Sequence, residues 1–182
     1  MRVITGKARG VKLKTPKGEK TRPTADRVKE AVFSIIQFEV ENSRFLDLFA
    51  GTGQMGIEAL SRGAKRAVFV DEWKDACQLV KENLRLSGLS QQAEVFQGGY
   101  MSYLEKCREQ FDIIFLDPPY AEIFLENALN KISEIDILAD SGIIICERPA
   151  DKQLDLEISG LTRCKDYRYS KTWITVFRKE AT

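Results

Sequence analysis

The sequence predicts an α/β fold: a mostly parallel sheet covered by helices on both faces and closed at one edge by an antiparallel hairpin. Three observations carry this. Short, nearly continuous apolar runs alternate with helical patterns from Phe45 to Cys146, as strands buried on both faces do. A G-x-G-x-x-G stretch, Gly51-Thr52-Gly53-Gln54-Met55-Gly56, directly follows the first of those runs and opens a helix. Leu161–Tyr169 and Thr172–Arg178 read as two strands joined by the short link Ser170-Lys171.

In chain order, Arg2–Gly6 and Val11–Lys14 alternate around a glycine-containing link and suggest a small hairpin. Pro16 to Pro23 is a lysine-rich loop. Thr24 is a plausible N-cap for a helix running to about Phe38, with Val28, Ala31, Val32, Ile35 and Ile36 on one face and Arg27 and Lys29 off it. Strands are expected at Phe45–Phe49, Arg66–Asp71, Ala93–Phe96, Phe111–Leu116 and Gly142–Cys146. Helices are expected between them at Met55–Ser61, Trp73–Leu86, Met101–Cys107 and Ile123–Ile132, with right-handed crossovers. The 182 residues suffice for one domain with a proper core. The expected division is a basic appendage, residues 1–23, on a catalytic α/β body, residues 24–182.

Composition excludes much chemistry. The chain has no histidine, which removes histidine triads, histidine bases and histidine-containing zinc sites. Its four cysteines, at 77, 107, 146 and 164, form no C-x-x-C pair, so no metal site is expected. No apolar run reaches membrane-span length and no secretory leader is visible, so a cytoplasmic protein is expected. Net charge is +1, yet residues 1–29 carry a surplus of eight positive charges and the remainder carries −7. A basic arm on an acidic body suits a polyanionic partner.

Asp117-Pro118-Pro119-Tyr120 follows the apolar run Phe111–Leu116, so it sits where a buried strand ends. Two prolines stiffen the turn and remove two backbone donors. Carbonyls are left free to accept, with a carboxylate on one side and an aromatic ring on the other. An exocyclic amine on a planar base needs those groups: two acceptors for its N–H bonds and a surface to stack on.

The glycine stretch is paired with Asp71, which ends the next strand and can accept both ribose hydroxyls of an adenosine. Glycines let the backbone approach a ligand, and helix N–H groups favour an anion. NAD and S-adenosylmethionine both fit that local description. Three features favour S-adenosylmethionine. Asp47 stands four residues before Gly51, positioned for an ammonium. The Asp-Pro-Pro-Tyr turn has no role in hydride transfer. The chain is also too short for a second nucleotide-binding half plus a catalytic domain.

With both motifs in hand, the chain resembles the class I S-adenosylmethionine-dependent methyltransferases, and more narrowly the bacterial 16S rRNA guanine-N2 methyltransferases that modify guanine 966 in RNA numbering. The narrower resemblance rests on Arg2-Val-Ile-Thr-Gly-Lys-Ala-Arg-Gly, on Lys12-Leu13, and on Arg22-Pro-Thr-Ala-Asp-Arg-Val-Lys-Glu30 heading a helix. It implies a Rossmann-like, seven-stranded sheet with the cofactor S-adenosyl-L-methionine across the carboxyl ends of the first strands. Cofactor contacts are then expected from Asp47, Phe49, Ala50, Gly51, Thr52 and Gly53, from Asp71 and Glu72, and from Gly99 and Tyr100. The stretch Gln97-Gly98-Gly99-Tyr100 departs from the Asp-Ala that many methyltransferases place there for adenine, so a backbone contact near Gly99 or a ring contact from Tyr100 would replace it. Asp117, Pro118, Pro119 and Tyr120 would hold the target amine. Arg9, Lys12, Lys14, Arg22 and Arg27 would contact RNA phosphates. Tyr167, Arg168, Tyr169, Lys171 and Trp173 form a second basic and aromatic cluster, either a nucleic-acid surface or strand aromatics packed on helices. The expected partner is 16S rRNA or the small ribosomal subunit, acted on by a monomer. The same turn also serves DNA adenine or cytosine and protein glutamine N-methylation. A cofactor-binding RNA chaperone without turnover is a further reading from a different class.

Overall fold

The computed structural model describes residues 1–16, 23–119, 121–151 and 156–180. Five strands, β1 (Arg44–Asp47), β2 (Arg66–Asp71), β3 (Ala93–Gln97), β4 (Phe111–Leu116) and β5 (Leu138–Pro149), pair in parallel. The last two, β6 (Leu161–Tyr169) and β7 (Thr172–Lys179), form an antiparallel hairpin, and β7 pairs antiparallel with β5. The sheet order is β3-β2-β1-β4-β5-β7-β6. Helices α1 (Pro23–Ile35), α2 (Gln54–Ser61), α3 (Lys74–Ser87), α4 (Tyr100–Lys106) and α5 (Ala121–Glu134) cover it. The expected seven-stranded sheet with a C-terminal hairpin is therefore present.

Alternating strand residues feed two cores. Phe45, Phe69, Ile113 and Ile145 face one core with Val32, Ile57 and Val80 of α1, α2 and α3. Leu46, Val68, Ile114 and Ile144 face the other with Leu104 and Leu129 of α4 and α5. Burial on both sides is why the strands read as continuous apolar runs rather than alternating ones. Because the strand order reverses between β1 and β4, a crevice opens beyond their carboxyl ends.

Three elements depart from expectation. Strand β5 is longer than the Gly142–Cys146 run; it begins at Leu138 and passes through the polar Asp140 and Ser141 beside a register shift against β4. The ladder to β4 skips residues 139–142, since Phe111 pairs with Leu138 and Ile113 with Ile143, so the polar stretch bulges out of the pairing. Helix α1 ends at Ile35, and a turn closed by Glu39 N–H to Ile36 C=O (2.9 Å) leaves Phe38 90% exposed. The N-terminal hairpin reduces to one bridge between Arg2 and Lys12, because turns take up residues 6–10.

The N-terminal segment is stapled to the body. Val3, Ala8 and Leu13 are buried in the first core. The fully buried Glu58 carboxylate accepts the N–H groups of Ile4 (2.8 Å) and Thr5 (3.0 Å) and the Nε of Arg62 (2.9 Å). Ser61 Oγ accepts Ala8 N–H (2.9 Å) and donates to Thr5 C=O (2.6 Å). Asn83 clamps Lys14 through both its N–H and its C=O. Lys29, placed by sequence off the apolar face of α1, is 1% exposed; its Nζ donates to Arg2 C=O (2.7 Å) and lies 3.6 Å from Glu58 Oε2. The helical period alone could not anticipate this, because the segment that covers Lys29 comes from outside the helix. Burial holds the Lys29 pKa below its usual value. No helix among the described residues is long and apolar enough to cross a membrane.

Candidate active site

The turn after β1 runs under tight backbone control. Leu48 N–H donates to Phe115 C=O (3.2 Å) and Ala50 N–H to Val70 C=O (2.9 Å), so the turn is hung between β4 and β2. Gly51 and Gly53 have φ of +53° and +77°, the left-handed region that other residues enter at a cost. A Cβ at Gly51 would project into open space, so the backbone here is bare toward the crevice. At Gly56 the reason is close approach, since a Cβ would lie 2.3 Å from the Phe69 ring.

Asp71 binds this turn to the end of β2. Its Oδ2 accepts Gly51 N–H (2.9 Å) and its Oδ1 accepts Trp73 N–H (2.9 Å). Each oxygen keeps a further lone pair for a ligand hydroxyl. Asp47, expected to face an ammonium, instead lies under the turn. It is 1% exposed and accepts Gly56 N–H at 3.3 Å. Burial, with smaller effects from Asp117 and Asp71, pushes its pKa up to about 7.

The raised pKa of Asp47 makes the stability of the fold depend on pH. The folded pKa exceeds the unfolded value of about 4, so the Asp47 contribution is complete below pH about 4. It is lost as pH rises to about 7. Asp47→Asn keeps an acceptor for Gly56 without a charge. It should therefore stabilise the protein above pH about 7 by up to about 4 kcal/mol, and the difference should vanish in acid. Urea titrations across pH measure this; an Asn variant that is less stable at neutral pH would show that Asp47 is held ionised.

The crevice forms a cavity of about 1140 Å³, above the usual range of roughly 300–1,000 Å³ for a small-molecule pocket. One wall is Phe49, Gly51, Asp71, Glu72 and Trp73. The end of β3 contributes Gly98, Gly99 and Tyr100, whose ring lies between Phe49 (5.1 Å) and Phe124 (5.7 Å). Asp117, Pro118 and Pro119 form the next wall, and Glu147, Arg148 and Lys171 the far side. Ala50, Thr52 and Gly53 build the turn from beneath and are not cavity-lining. Thr52 C=O accepts Asn83 Nδ2 (2.9 Å), which ties the turn to the N-terminal clamp.

Asp117 reaches solvent through the cavity, while protein encloses it on its other sides and pushes its pKa up. Its carboxylate has no hydrogen-bond partner among the described residues, so it stands open to a donor entering the cavity. Tyr120 and Arg22 lie outside the described residues.

Of the expected phosphate contacts, Arg9, Lys12, Lys14 and Arg27 are exposed, and Lys14 pairs with Glu82. In the second cluster, Tyr167 and Tyr169 pack on the first core. Trp173 has the guanidinium groups of Arg148 (5.5 Å) and Arg168 (5.8 Å) over its ring, and Lys171 reaches the cavity rim. Strand packing thus claims the tyrosines and the site claims the turn.

Sequence reasoning missed Trp73, Phe124, Gln54 and Glu147. Trp73 is 69% exposed and lines the cavity directly after the β2 acids, a position that an aromatic search beside Asp71 would have found. Gln54 opens α2 with a buried Oε1 that has no hydrogen-bond partner among the described residues. Glu147 had one signal: a charge directly ending the run Ile143–Cys146.

Comparison with known proteins adds to this geometry. Residues 1–178 match the model of a family described as conserved hypothetical protein 95. The chain is 38% identical over 182 residues to YlbH of Bacillus subtilis (strain 168), covering 98% of this chain and 99% of that one. It is 39% identical over 157 residues to the ribosomal RNA small subunit methyltransferase D of Haemophilus influenzae, covering 85% and 81%. The solved structure of yhhF from Escherichia coli is 28% identical, with a TM-score of 0.90 over 100% of this chain and 99% of that one.

Proposed function

The chain belongs to the family described as conserved hypothetical protein 95, and from that premise we propose that it is an S-adenosylmethionine-dependent methyltransferase acting on the N2 amine of a guanine in 16S ribosomal RNA. Relatives named ribosomal RNA small subunit methyltransferase D support the substrate class. The carrying observation is that one cavity joins the bare glycine turn and Asp71 to the open carboxylate of Asp117.

The residues present suit S-adenosylmethionine. Gly51 and Gly99 leave space where a Cβ would stand, Asp71 offers acceptors for ribose hydroxyls, and Trp73 and Tyr100 offer aromatic surface beside it. When bound, the cofactor supplies an electrophilic methyl group on a sulfonium. Asp117 and the Pro118 carbonyl accept the two amine hydrogens, which lets the nitrogen pyramidalise and frees its lone pair. Alignment of this kind is worth roughly 7–11 kcal/mol. The nitrogen gains a methyl and loses one proton, and Asp117, whose pKa burial moves toward neutrality, takes that proton. Tyr120 would stack on the base. Arg9, Lys12, Lys14, Arg22 and Arg27 orient the RNA through phosphates, so binding should weaken with salt. The place of action is the cytoplasm, on a guanine outside a helix or flipped from one.

Asp71→Ala should weaken S-adenosylhomocysteine binding about 10–100-fold with a smaller change in turnover at saturating cofactor. Titration calorimetry reads the first and initial rates the second. Unchanged affinity would remove Asp71 from the cofactor site. The function itself is tested by mass mapping of methylated nucleotides after incubation with unmodified ribosomal RNA and, in parallel, small subunits. Methylation at no guanine N2 would refute it.

A further inference from the structure

We propose that Glu147 reads the Watson–Crick edge of the target base, accepting guanine N1–H while Asp117 accepts an N2–H. The proposal deepens the guanine reading above and rests on it.

Strand register brings the two carboxyls together. In the parallel pair β4–β5, Leu116 stands opposite Cys146, so the next residues, Asp117 just past the end of β4 and Glu147 on β5, are neighbours. Side chains alternate along a strand. Leu116 and Cys146 face the second core, so Asp117 and Glu147 turn to the other face. Val28 of α1, on that same face, lines the cavity with both.

Neither carboxyl serves the fold. Neither accepts a hydrogen bond from any described residue, and each is open to the cavity. The ionisable groups around Glu147 are Asp117, Arg148 next on its own strand, Lys171 in the β6–β7 turn, and Asp71 and Glu72 across the cavity. Burial and the charge of Asp117 both push the Glu147 pKa up, so this pair is electrostatically unfavourable in the free protein. A ligand carrying two adjacent donors relieves it.

Among the bases with an exocyclic amine, guanine alone has two adjacent donors on that edge, N1–H and N2–H. Adenine sets its amine beside the N1 acceptor, and cytosine sets its amine beside the N3 acceptor. A second acceptor next to Asp117 therefore favours guanine and repels the other two. The same Asp-Pro-Pro-Tyr turn that serves several amines is in this way given one base.

The test is a cycle between residue and base. 2-Aminopurine keeps the reacting amine and lacks N1–H and O6. Wild type and Glu147→Ala are each assayed on ribosomal RNA carrying guanine or 2-aminopurine at the methylated position. For wild type the analogue should lower kcat/KM at least about tenfold. For Glu147→Ala the same change of base should cost less than about twofold. Equal losses in both enzymes would overturn the proposal, since Glu147 would then not touch that edge. Glu147→Gln should melt at or above the wild-type temperature at neutral pH with unchanged S-adenosylhomocysteine affinity; a lowered melting temperature would mark Glu147 as a structural group and also overturn it. A wild type that modifies no guanine N2 fails at the first arm and removes the underlying reading, whereas modification without the non-additive cycle removes only Glu147.

Discussion

Asp117→Ala is expected to lower methyl transfer at least about a thousandfold while S-adenosylhomocysteine binds within about threefold of wild type. Two losses combine. The amine loses the acceptor that draws its lone pair out of conjugation, and the product proton loses its acceptor in a chain without histidine. Cofactor affinity should survive, because Asp71 and the glycine turn are held by their own backbone bonds and not by Asp117. Folding should survive too, since the carboxylate bonds to no described residue and its burial is a cost. Asp117→Asn separates the two losses: the amide keeps an acceptor for an N–H and cannot take the proton. Single-turnover rates with saturating cofactor read the effect. Normal turnover in Asp117→Ala would show that the amine is held elsewhere.

The second large effect concerns stability. Glu58→Ala should cost about 3–5 kcal/mol and detach the N-terminal segment. The substitution leaves Lys29 buried without its ion-pair partner and strips the partners from Ile4 and Thr5 N–H. Burying an unpaired charge is the expensive part, so Lys29→Met combined with Glu58→Leu should recover much of the loss. Denaturant titration measures the first claim, and amide exchange at Ile4 and Thr5 the second. A Glu58→Ala protein within 1 kcal/mol of wild type, taking about 1 as the ordinary cost of a substitution, would mean that the segment is held by its apolar residues alone. The consequence for function is direct. Arg9, Lys12 and Lys14, the proposed phosphate contacts, are presented on a stapled surface, not on a free arm, so their backbone positions relative to the body are set by the fold.

Much of the fold was legible. β2, β4 and β6 were read at their observed bounds: β2 and β4 are apolar runs, and β6 is set off by the short link Ser170-Lys171 before its partner strand. Strand β5 was read short because Asp140 and Ser141 break the pattern where the strand bulges away from β4. The places of the glycine turn, Asp71 and Asp117 at strand ends were legible because each directly follows or closes an apolar run. Asp47 was not placed correctly from spacing alone: its distance from Gly51 says nothing about which side of the turn its carboxyl takes, and packing put it beneath, on Gly56 N–H.

By itself the amino-acid order determined the class of fold, the bare turn at the end of β1 and the acidic turn at the end of β4, since these depend on neighbours within a few residues. Tertiary structure alone decided that Lys29 lies in the core under the N-terminal segment, that Trp73 and Tyr100 border one cavity, and that Glu147 stands beside Asp117. Those relations arise from strand order and register. Register pairs residues that are remote in the chain, and no periodicity within either segment carries that information.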